Sequence, residues 1–451
     1  MGLDRSQLWR APYLADRKLS ATIEIPGSKS LMARALILAA QAENPTYLYF
    51  PLHSRDSELM RDGLVSLGIE VSEGRDQEGP FWKIIPKKLR GSTEIDVGNA
   101  GTVMRFLPSL AALADGEIRF DGDPRSHQRP IKPLIKALED LGLSINHGES
   151  YCLPITIYGV GTLSGGELEI DASTSSQYIS SLLLIAASLT SDLTISHIGP
   201  SIPSIPHIEM TIESLKIRGV EVEFNSTKKS WKIKHGQKIS GGKFLIEPDL
   251  SNAGVFLAAA LLIGGEIRVK NWPVATIQPG AQFQSIFTQM GAEFYRSGDD
   301  LIIRCRKDLS AIKGIDIDLS DLGELTPTIA AVAAFASTPS HLRGIGHLRL
   351  HETDRLQALA TELRKLGAVV IENHDSLEIT PVDQGKLLDR NREIAPEIVI
   401  NSYDDHRIAT FGALAGLLIP NLWVENIATT RKTITDFPAL WQELTEESLP
   451  T

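Results

Sequence analysis

One kind of segment recurs six times along this chain at intervals of about 75 residues, and it constrains the fold more than any other feature. Each copy is a polar loop that runs into an apolar, alanine- and leucine-rich stretch. The loops begin at Gly27-Ser28-Lys29-Ser30, Gly98-Asn99-Ala100-Gly101-Thr102, Ser173-Thr174-Ser175-Ser176-Gln177, Asp249-Leu250-Ser251-Asn252, Asp321-Leu322-Gly323-Glu324 and Ser402-Tyr403-Asp404-Asp405. Runs such as Ala35 to Ala40 and Val255 to Ile263 follow them. Ser, Thr, Asn and Asp ahead of an apolar run are helix-start signals, because their side-chain oxygens satisfy amides that have no partner inside the helix. Few charges interrupt these helices, so they lack a solvated face and are expected inside a lobe. Between them lie strand-like runs, Ala21 to Ile25, Glu117 to Phe120, Leu193 to Ser196 and Glu266 to Val269, and second helices such as Pro133 to Leu141 and Arg355 to Leu366. The unit is therefore mixed β and α. Units this long close into compact domains rather than an open solenoid, so six copies in 451 residues predict two lobes of three, the second opening near Glu247-Pro248-Asp249.

A helix N-terminus presents free N–H groups and a partial positive charge, so several polar starts converging on one cleft would make an anion site. The cations are present too. Lys29, Arg34, Arg105, Arg129, Arg355, Arg407 and Lys432 sit near these loops in a protein whose formal net charge is -11. That overall charge argues against a nucleic-acid surface, and no Lys and Arg run interleaved with aromatics opposes it. Two dianions held about 6 Å apart at an effective dielectric near 20 repel by on the order of 11 kcal/mol, so small anionic ligands would require such cations. Arg suits carboxylate and phosphate through its planar donors, whereas Lys is a point charge that can also carry a proton, which makes Lys29 the candidate for chemistry. Glu324 and Glu352 are the candidate acids and bases. His347 and His351 beside Glu352 lack a third ligand at a recognisable spacing, so no metal is expected. The Gly27 loop lacks the upstream glycine of a P-loop, and no G-x-G-x-x-G opens a helix. Cys152 and Cys305 form neither a disulfide framework nor a cysteine zinc pattern. The start, Met1 to Arg10, has no apolar export core, and no apolar run reaches the roughly 18 residues of a membrane helix; a cytoplasmic protein outside the membrane is expected.

Taken in order, these loops resemble the signatures of the 5-enolpyruvylshikimate-3-phosphate synthase family. Pro26-Gly27-Ser28-Lys29-Ser30 with Arg34 is similar to its first, and Gly98-Asn99-Ala100-Gly101-Thr102 with Arg105 to its second. The likeness continues through Pro124-Arg125 to Arg129-Pro130, Ser175-Ser176-Gln177-Tyr178, Glu352-Thr353-Asp354-Arg355, Asp405-His406-Arg407 and Arg431-Lys432-Thr433. The resemblance implies an α/β (α+β) enolpyruvyl transferase fold of two lobes, each built from three β/α units with buried helices and sheets outside. The first lobe is expected at 27–247 and the second at 1–26 plus 248–451, with crossings near 27 and 248, and the lobes are expected to close on the substrates. It implies transfer of the enolpyruvyl group of phosphoenolpyruvate to the 5-hydroxyl of shikimate 3-phosphate, without cofactor or metal, by a monomer.

By the same resemblance, Ser30, Arg34, Ser175, Ser176, Gln177 and Ser204 surround shikimate 3-phosphate, and Lys29 touches both substrates. Glu324, His347 and His351 also face shikimate 3-phosphate. Asn99, Gly101, Arg129, Gln177, Arg355, Arg407 and Lys432 hold phosphoenolpyruvate. Glu324 accepts the proton of the attacking hydroxyl, with Asp321 the alternative, and either Lys29 or Glu352 delivers a proton to the methylene carbon. Several positions depart from the commonest family pattern: Glu324 for Asp, His207 for Tyr, His347 for Asn, His351 for Lys and Phe106 for Pro. His351 is expected to make binding pH-dependent. The rival readings are a UDP-sugar enolpyruvyl transferase, whose usual mobile-loop Cys has no counterpart in Cys152, and a non-catalytic anion-binding protein of the same fold.

Overall fold

The fold was obtained as a computed structural model that describes residues 5–385 and 395–450; the first residues of the Met1 to Arg10 segment lie outside them. The chain divides into two compact units. Pro26–Glu247 forms a central unit, and Met1–Ile25 with Pro248–Thr451 forms a terminal unit.

Within the central unit one pattern is used three times. Its plainest copy runs from strand Thr93–Asp96 through helix Val103–Ala111, strand Asp115–Asp121 and helix Lys132–Asp140 to strands Ser144–Asn146 and Ile155–Val160. The first two strands pair in parallel and the rest antiparallel, because the intervening helix returns the chain to the same edge while the last two strands are joined directly. Glu167–Ile170, Leu193–His197, Ser230–Ile233 and Glu223–Asn225 repeat that sheet around the helices Gln177–Ala186 and Pro206–Lys216. The terminal unit repeats it in Asp316–Asp318, Ser340–Arg343, Ser376–Thr380 and Val369–Glu372.

Two copies take their first strand from a distant part of the chain. Strand Gly242–Leu245 pairs in parallel with Thr46–Tyr49 beside the helix Lys29–Ala40. Strand Arg17–Ile23, which precedes that helix in sequence, instead pairs in parallel with Gly265–Val269 beside the helix Leu250–Ile263. The Ser28 amide donates to the Glu247 carbonyl at 2.7 Å, tying the two ends of the central unit together.

Burial follows the expected division of labour. Every residue of Leu250–Ile263 and Thr326–Ala333 is buried, as helices without a charged residue require, and Val103–Ala111 is buried throughout as well, Arg105 included. In Leu250–Ile263, Gly254 lies against Phe283, and a Cβ there would stand 1.9 Å from the ring, so glycine is what lets this helix approach. The second helices are amphipathic: Lys132–Asp140 buries Leu134, Ile135, Ala137 and Leu138 and exposes Lys132, Lys136 and Asp140. Strand Ile155–Val160 alternates buried and exposed residues, the mark of a sheet with one face on the core.

The helix-start reading holds for some loops and not for others. Ser28 accepts from Leu31 N, Asp249 from Asn252 N and Asp405 from Arg407 N. Thr102 and Ser176 already have helical backbone angles and make no side-chain cap bond. Asp321 to Glu324 does not enter the helix directly; a short 3-10 turn, Gly323–Leu325, intervenes, and Pro327 sits in the first turn of Thr326–Ala333. Among the described residues no helix is long and apolar enough to cross a membrane.

Candidate functional site

In the central unit, Lys29 opens the helix capped by Ser28, and its ammonium lies 3.3 Å from Oδ2 of Asp56. Asp56 is 3 % exposed in the first turn of the helix Arg55–Ser66, whose own cap is Ser54. One turn beyond Lys29, Arg34 is 1 % exposed. Its Nε donates to Thr211 Oγ1 (2.8 Å), Nη1 to the Ser30 carbonyl (2.7 Å) and Nη2 to the His207 carbonyl (2.8 Å), and the guanidinium lies over the Phe106 ring. Arg34 therefore binds the Lys29–Ser30 turn to the start of helix Pro206–Lys216. Ser204, with a φ of 55°, makes the turn before that helix and accepts the His207 amide.

The Gly98 loop is built around two guanidinium groups. Gly98 has a φ of 52°, and its amide donates to Asp96 Oδ1, which sets the turn. Arg129 Nη1 donates to both the carbonyl and Oδ1 of Asn99, at 2.9 and 2.8 Å. Arg105 Nη1 donates to the Gly101 carbonyl (3.1 Å) and to Gln177 Oε1 (3.4 Å). A Cβ on Gly101 would stand 2.9 Å from Arg105 Nη1 and 3.0 Å from Arg129 Nη2, so the two cations flank this glycine. Arg105 donates here to a carbonyl and an amide oxygen, which leaves its charge available to an anion. The Ser175-Ser176-Gln177 turn adjoins them. Ser175 Oγ accepts the Gln177 amide, Ser176 is buried, and Asp171 upstream accepts both N–H and O–H of Ser173. The bonds from Ser173 hold the Asp171 carboxyl below its usual range. Burial likewise lowers His197, whose Nδ1 accepts the Ala172 amide at 3.3 Å.

In the terminal unit, charges of opposite sign alternate through a buried chain. Arg355 opens the helix Arg355–Leu366 and grips Asp405 twice, Nε to Oδ2 at 2.7 Å and Nη2 to Oδ1 at 3.2 Å. Its Nη2 also donates to Glu352 Oε2 (2.8 Å), and the other Glu352 oxygen accepts from Lys432 Nζ (2.7 Å). Asp405, Arg355, Glu352 and Lys432 are 0, 2, 8 and 8 % exposed. Burial pulls the Arg355 pKa down, and Asp405 and then Glu352 more than reverse it, so the guanidinium ends above its ordinary value. Asp405 also caps the next helix through the Arg407 amide, so one carboxylate orients Arg355 and starts the helix that carries Arg407.

Glu324 completes this half. Its Oε1 accepts from Ser251 Oγ (2.6 Å), and Oε2 lies 3.6 Å from Arg407 Nη2. Asp321 is exposed, so the structure brings Glu324 to the cation. His347 packs over Gly323, where a Cβ would meet Nε2 at 2.4 Å, and burial drives its pKa down to about 4, leaving it neutral at pH 7. His351 Nδ1 faces Arg355 Nη1 at 3.0 Å; because guanidinium only donates, Nδ1 must accept and the ring proton belongs on Nε2. His347 and His351 lie edge to face, ring centres 5.9 Å apart. They do not share a helix: His347 is in the 3-10 turn Gly346–Leu350 and His351 follows it. Among the described residues no group of three or more His, Cys, Asp or Glu is placed to hold a metal ion.

Within each unit the candidates of the sequence reading thus lie together: Lys29, Ser30, Arg34 and Ser204 around one set of turns, Asn99, Gly101, Arg129 and Gln177 around another, and Glu324, His347, His351, Glu352, Arg355, Arg407 and Lys432 around a third. The sequence reading missed the partners. Asp56 and Ser251 carried no signal beyond ordinary helix-start residues, Asp405 stood in a motif without a role, and Arg105 was a cation without an assigned ligand.

The chain matches the family model of EPSP synthase (3-phosphoshikimate 1-carboxyvinyltransferase) over residues 15–443. It is 43% identical over 453 residues to a 3-phosphoshikimate 1-carboxyvinyltransferase of Kocuria rhizophila, covering 98% of each chain. To the protein of the same name from Bifidobacterium longum it is 42% identical over 444 residues, covering 97% of this chain and 98% of that one. Among solved structures it shares its fold with an EPSP synthase of Acinetobacter baumannii, at a TM-score of 0.75 and 22% identity over 97% of this chain and 98% of that one. The enolpyruvyl transferase NikO of Streptomyces tendae follows at a TM-score of 0.72 and 16% identity, over 97% and 96%. A family match that spans both units and relatives this similar over their whole length place the chain in the EPSP synthase family.

Proposed function

We propose that this chain transfers the enolpyruvyl group of phosphoenolpyruvate to the 5-hydroxyl of shikimate 3-phosphate and releases phosphate. The observation that carries this is the full-length relationship to proteins named for that activity. The roles of the individual groups follow the family resemblance and are compatible with the contacts each one makes. In this reading Asn99, Gly101, Arg129, Gln177, Arg355, Arg407 and Lys432 are the phosphoenolpyruvate ligands. Arg105, which shares Gly101 and Gln177 with them, belongs to the same set. Ser30, Arg34, Ser175, Ser176 and Ser204, with His347 and His351, hold shikimate 3-phosphate.

The chemistry is addition followed by elimination. A proton delivered to the methylene carbon makes the neighbouring carbon electrophilic; the hydroxyl adds to it while Glu324 takes the hydroxyl proton; loss of a methyl proton and of phosphate restores the double bond. Glu324 suits a base because the Ser251 hydroxyl and the Arg407 guanidinium hold its carboxylate in place. Lys29 is the proposed proton donor. Glu352 accepts from Lys432 and Arg355 on both oxygens, the arrangement of a group that steadies two cations. Activity as a monomer in the cytoplasm belongs to the same proposal; both cysteines are free thiols, with burial pushing Cys305 up to about 12.

The test is phosphate release by metal-stripped protein given both substrates, run beside phosphoenolpyruvate with a UDP-sugar. Release with shikimate 3-phosphate alone is expected; no release from folded protein would remove the enzyme reading, and release with the UDP-sugar alone would transfer it to the sister activity. Lys29→Met is expected to abolish turnover, and a parental rate in that variant would withdraw its role.

A further inference from the structure

The turn that delivers Asp405 and Arg407 is held in an unfavourable shape from outside the site. Tyr403 and Asp404 are consecutive non-glycine residues with φ of 54° and 53°, in the left-handed region that side chains disfavour. Asp tolerates that region through its short polar side chain, but an aromatic residue gains nothing from it, so the conformation must be imposed by contacts.

Such contacts are present on both sides of the turn. Glu362, which is 0 % exposed, lies seven residues after Arg355 on the helix Arg355–Leu366, two turns along the same face. Its Oε1 accepts the Tyr403 hydroxyl at 2.7 Å, Oε2 accepts the Asn401 amide at 3.3 Å, and Lys365 Nζ balances the charge at 2.7 Å. On the far side of the turn, Asn426 Nδ2 donates to Asp404 Oδ1 at 2.6 Å and Thr429 Oγ1 to the Asp404 carbonyl at 2.9 Å. Asn426, itself at a φ of 46°, begins the 3-10 segment Ile427–Lys432. One turn is thus fastened to the helix that bears Arg355, continues into the helix that bears Arg407, and is fastened again to the segment that bears Lys432.

We propose that Tyr403 and Glu362 are positioning residues: they hold the turn 401–405 in its left-handed conformation, and so set Arg355, Arg407 and Lys432 at one spacing for the anionic substrate. This rests on the reading that those three cations bind phosphoenolpyruvate, but the clamp itself is testable without it. Burial and then the Glu362 hydrogen bond raise the Tyr403 phenol above its usual value, so the hydroxyl keeps the proton it donates to Glu362.

The experiment uses the full chain with Tyr403→Phe and, as a second variant on the other fastening, Asn426→Ala. Hydrogen exchange is followed at the Asp405 amide, which donates to the Ser402 carbonyl at 2.9 Å, and across 427–433, with helix Thr326–Ala333 as reference. At least about tenfold faster exchange at the turn in both variants, with the reference helix unchanged, is expected. Unchanged exchange at the turn would overturn the inference whether or not the protein proves active. In the phosphate-release assay the KM for phosphoenolpyruvate is expected to rise about tenfold, with the KM for shikimate 3-phosphate within about twofold of the parent. A fall in thermal stability with both KM values unmoved would reduce the clamp to a structural role and also overturn it. Failure of the parent to turn over strikes the functional reading alone, because the exchange measurement still decides the clamp.

Discussion

Replacing Asp405 should reveal how much the buried charge chain contributes, and two variants separate its two jobs. Asp405, Arg355, Glu352 and Lys432 alternate in sign, and their formal charges cancel. Asp405→Asn keeps an oxygen for the Arg407 amide but removes the negative charge, leaving one positive charge uncompensated among groups at most 8 % exposed. Breaking a buried pair costs about 3–5 kcal/mol; the low end, about 3 kcal/mol, applies because Glu352 still faces Arg355. Asp405→Ala also loses the helix cap, typically about 1 kcal/mol, for a total of about 4 kcal/mol. The assay is urea unfolding followed by tryptophan fluorescence, since Trp441, stacked on Phe437 with ring centres 5.2 Å apart, is fully buried in the same unit. With a slope of about 3 kcal/mol per molar, the midpoint of that unit's transition should fall by about 1 M for Asn and about 1.3 M for Ala. Added salt should not restore it, because buried pairs are weakly screened. A midpoint within about 0.3 M of the parent for Asp405→Asn would refute the argument, since a loss so small means water already compensates Arg355.

Glu324→Gln preserves shape and removes the base, so kcat should fall about a hundredfold to ten-thousandfold with both KM values little changed; a parental kcat would move the role to Asp321. Gly101→Ala places a methyl 2.9 Å from Arg105 and 3.0 Å from Arg129, and should raise the KM for phosphoenolpyruvate by at least about tenfold while circular dichroism stays parental. An unchanged KM there would mean the two guanidinium groups do not serve that substrate. His347 gives a pH prediction: burial depresses its folded pKa to about 4 from the ordinary 6.5, so the unfolded chain binds the extra proton first. That contribution to stability is fully present above pH 6.5 and is lost as pH falls toward 4, by up to about 3 kcal/mol. Thermal melts at pH 4.5 and 7.5 should therefore differ less in His347→Asn than in the parent, and an equal difference would reject the assignment.

Much of the fold was legible because it is written locally. The strand read at Glu117 to Phe120 lies inside Asp115–Asp121, and the helix read at Pro133 to Leu141 is Lys132–Asp140, shifted by one residue. Caps were legible in part. Ser28, Asp249 and Asp405 cap their helices, but Thr102 and Ser176 stand at similar sequence positions with backbone already helical, a difference that residue type does not carry. Of the site, the cations were visible as charged residues in polar loops of an acidic chain. Their counter-charges were not: Asp56 in the first turn of a helix looks like any acid that complements a helix dipole.

The sequence by itself determined which segments become buried helices and which turns carry the cations, because apolar runs and helix-start residues act over a few neighbours along the chain. Tertiary structure alone decided that strand Arg17–Ile23 joins Gly265–Val269, that Asp405 faces Arg355 and that Glu362 reaches Tyr403. Those pairings lie between 40 and 250 residues apart or depend on a packed helix face. A backbone ladder or an ion pair requires only complementary groups, so many partners satisfy the local residue equally, and the packing of buried helices leaves just one within reach.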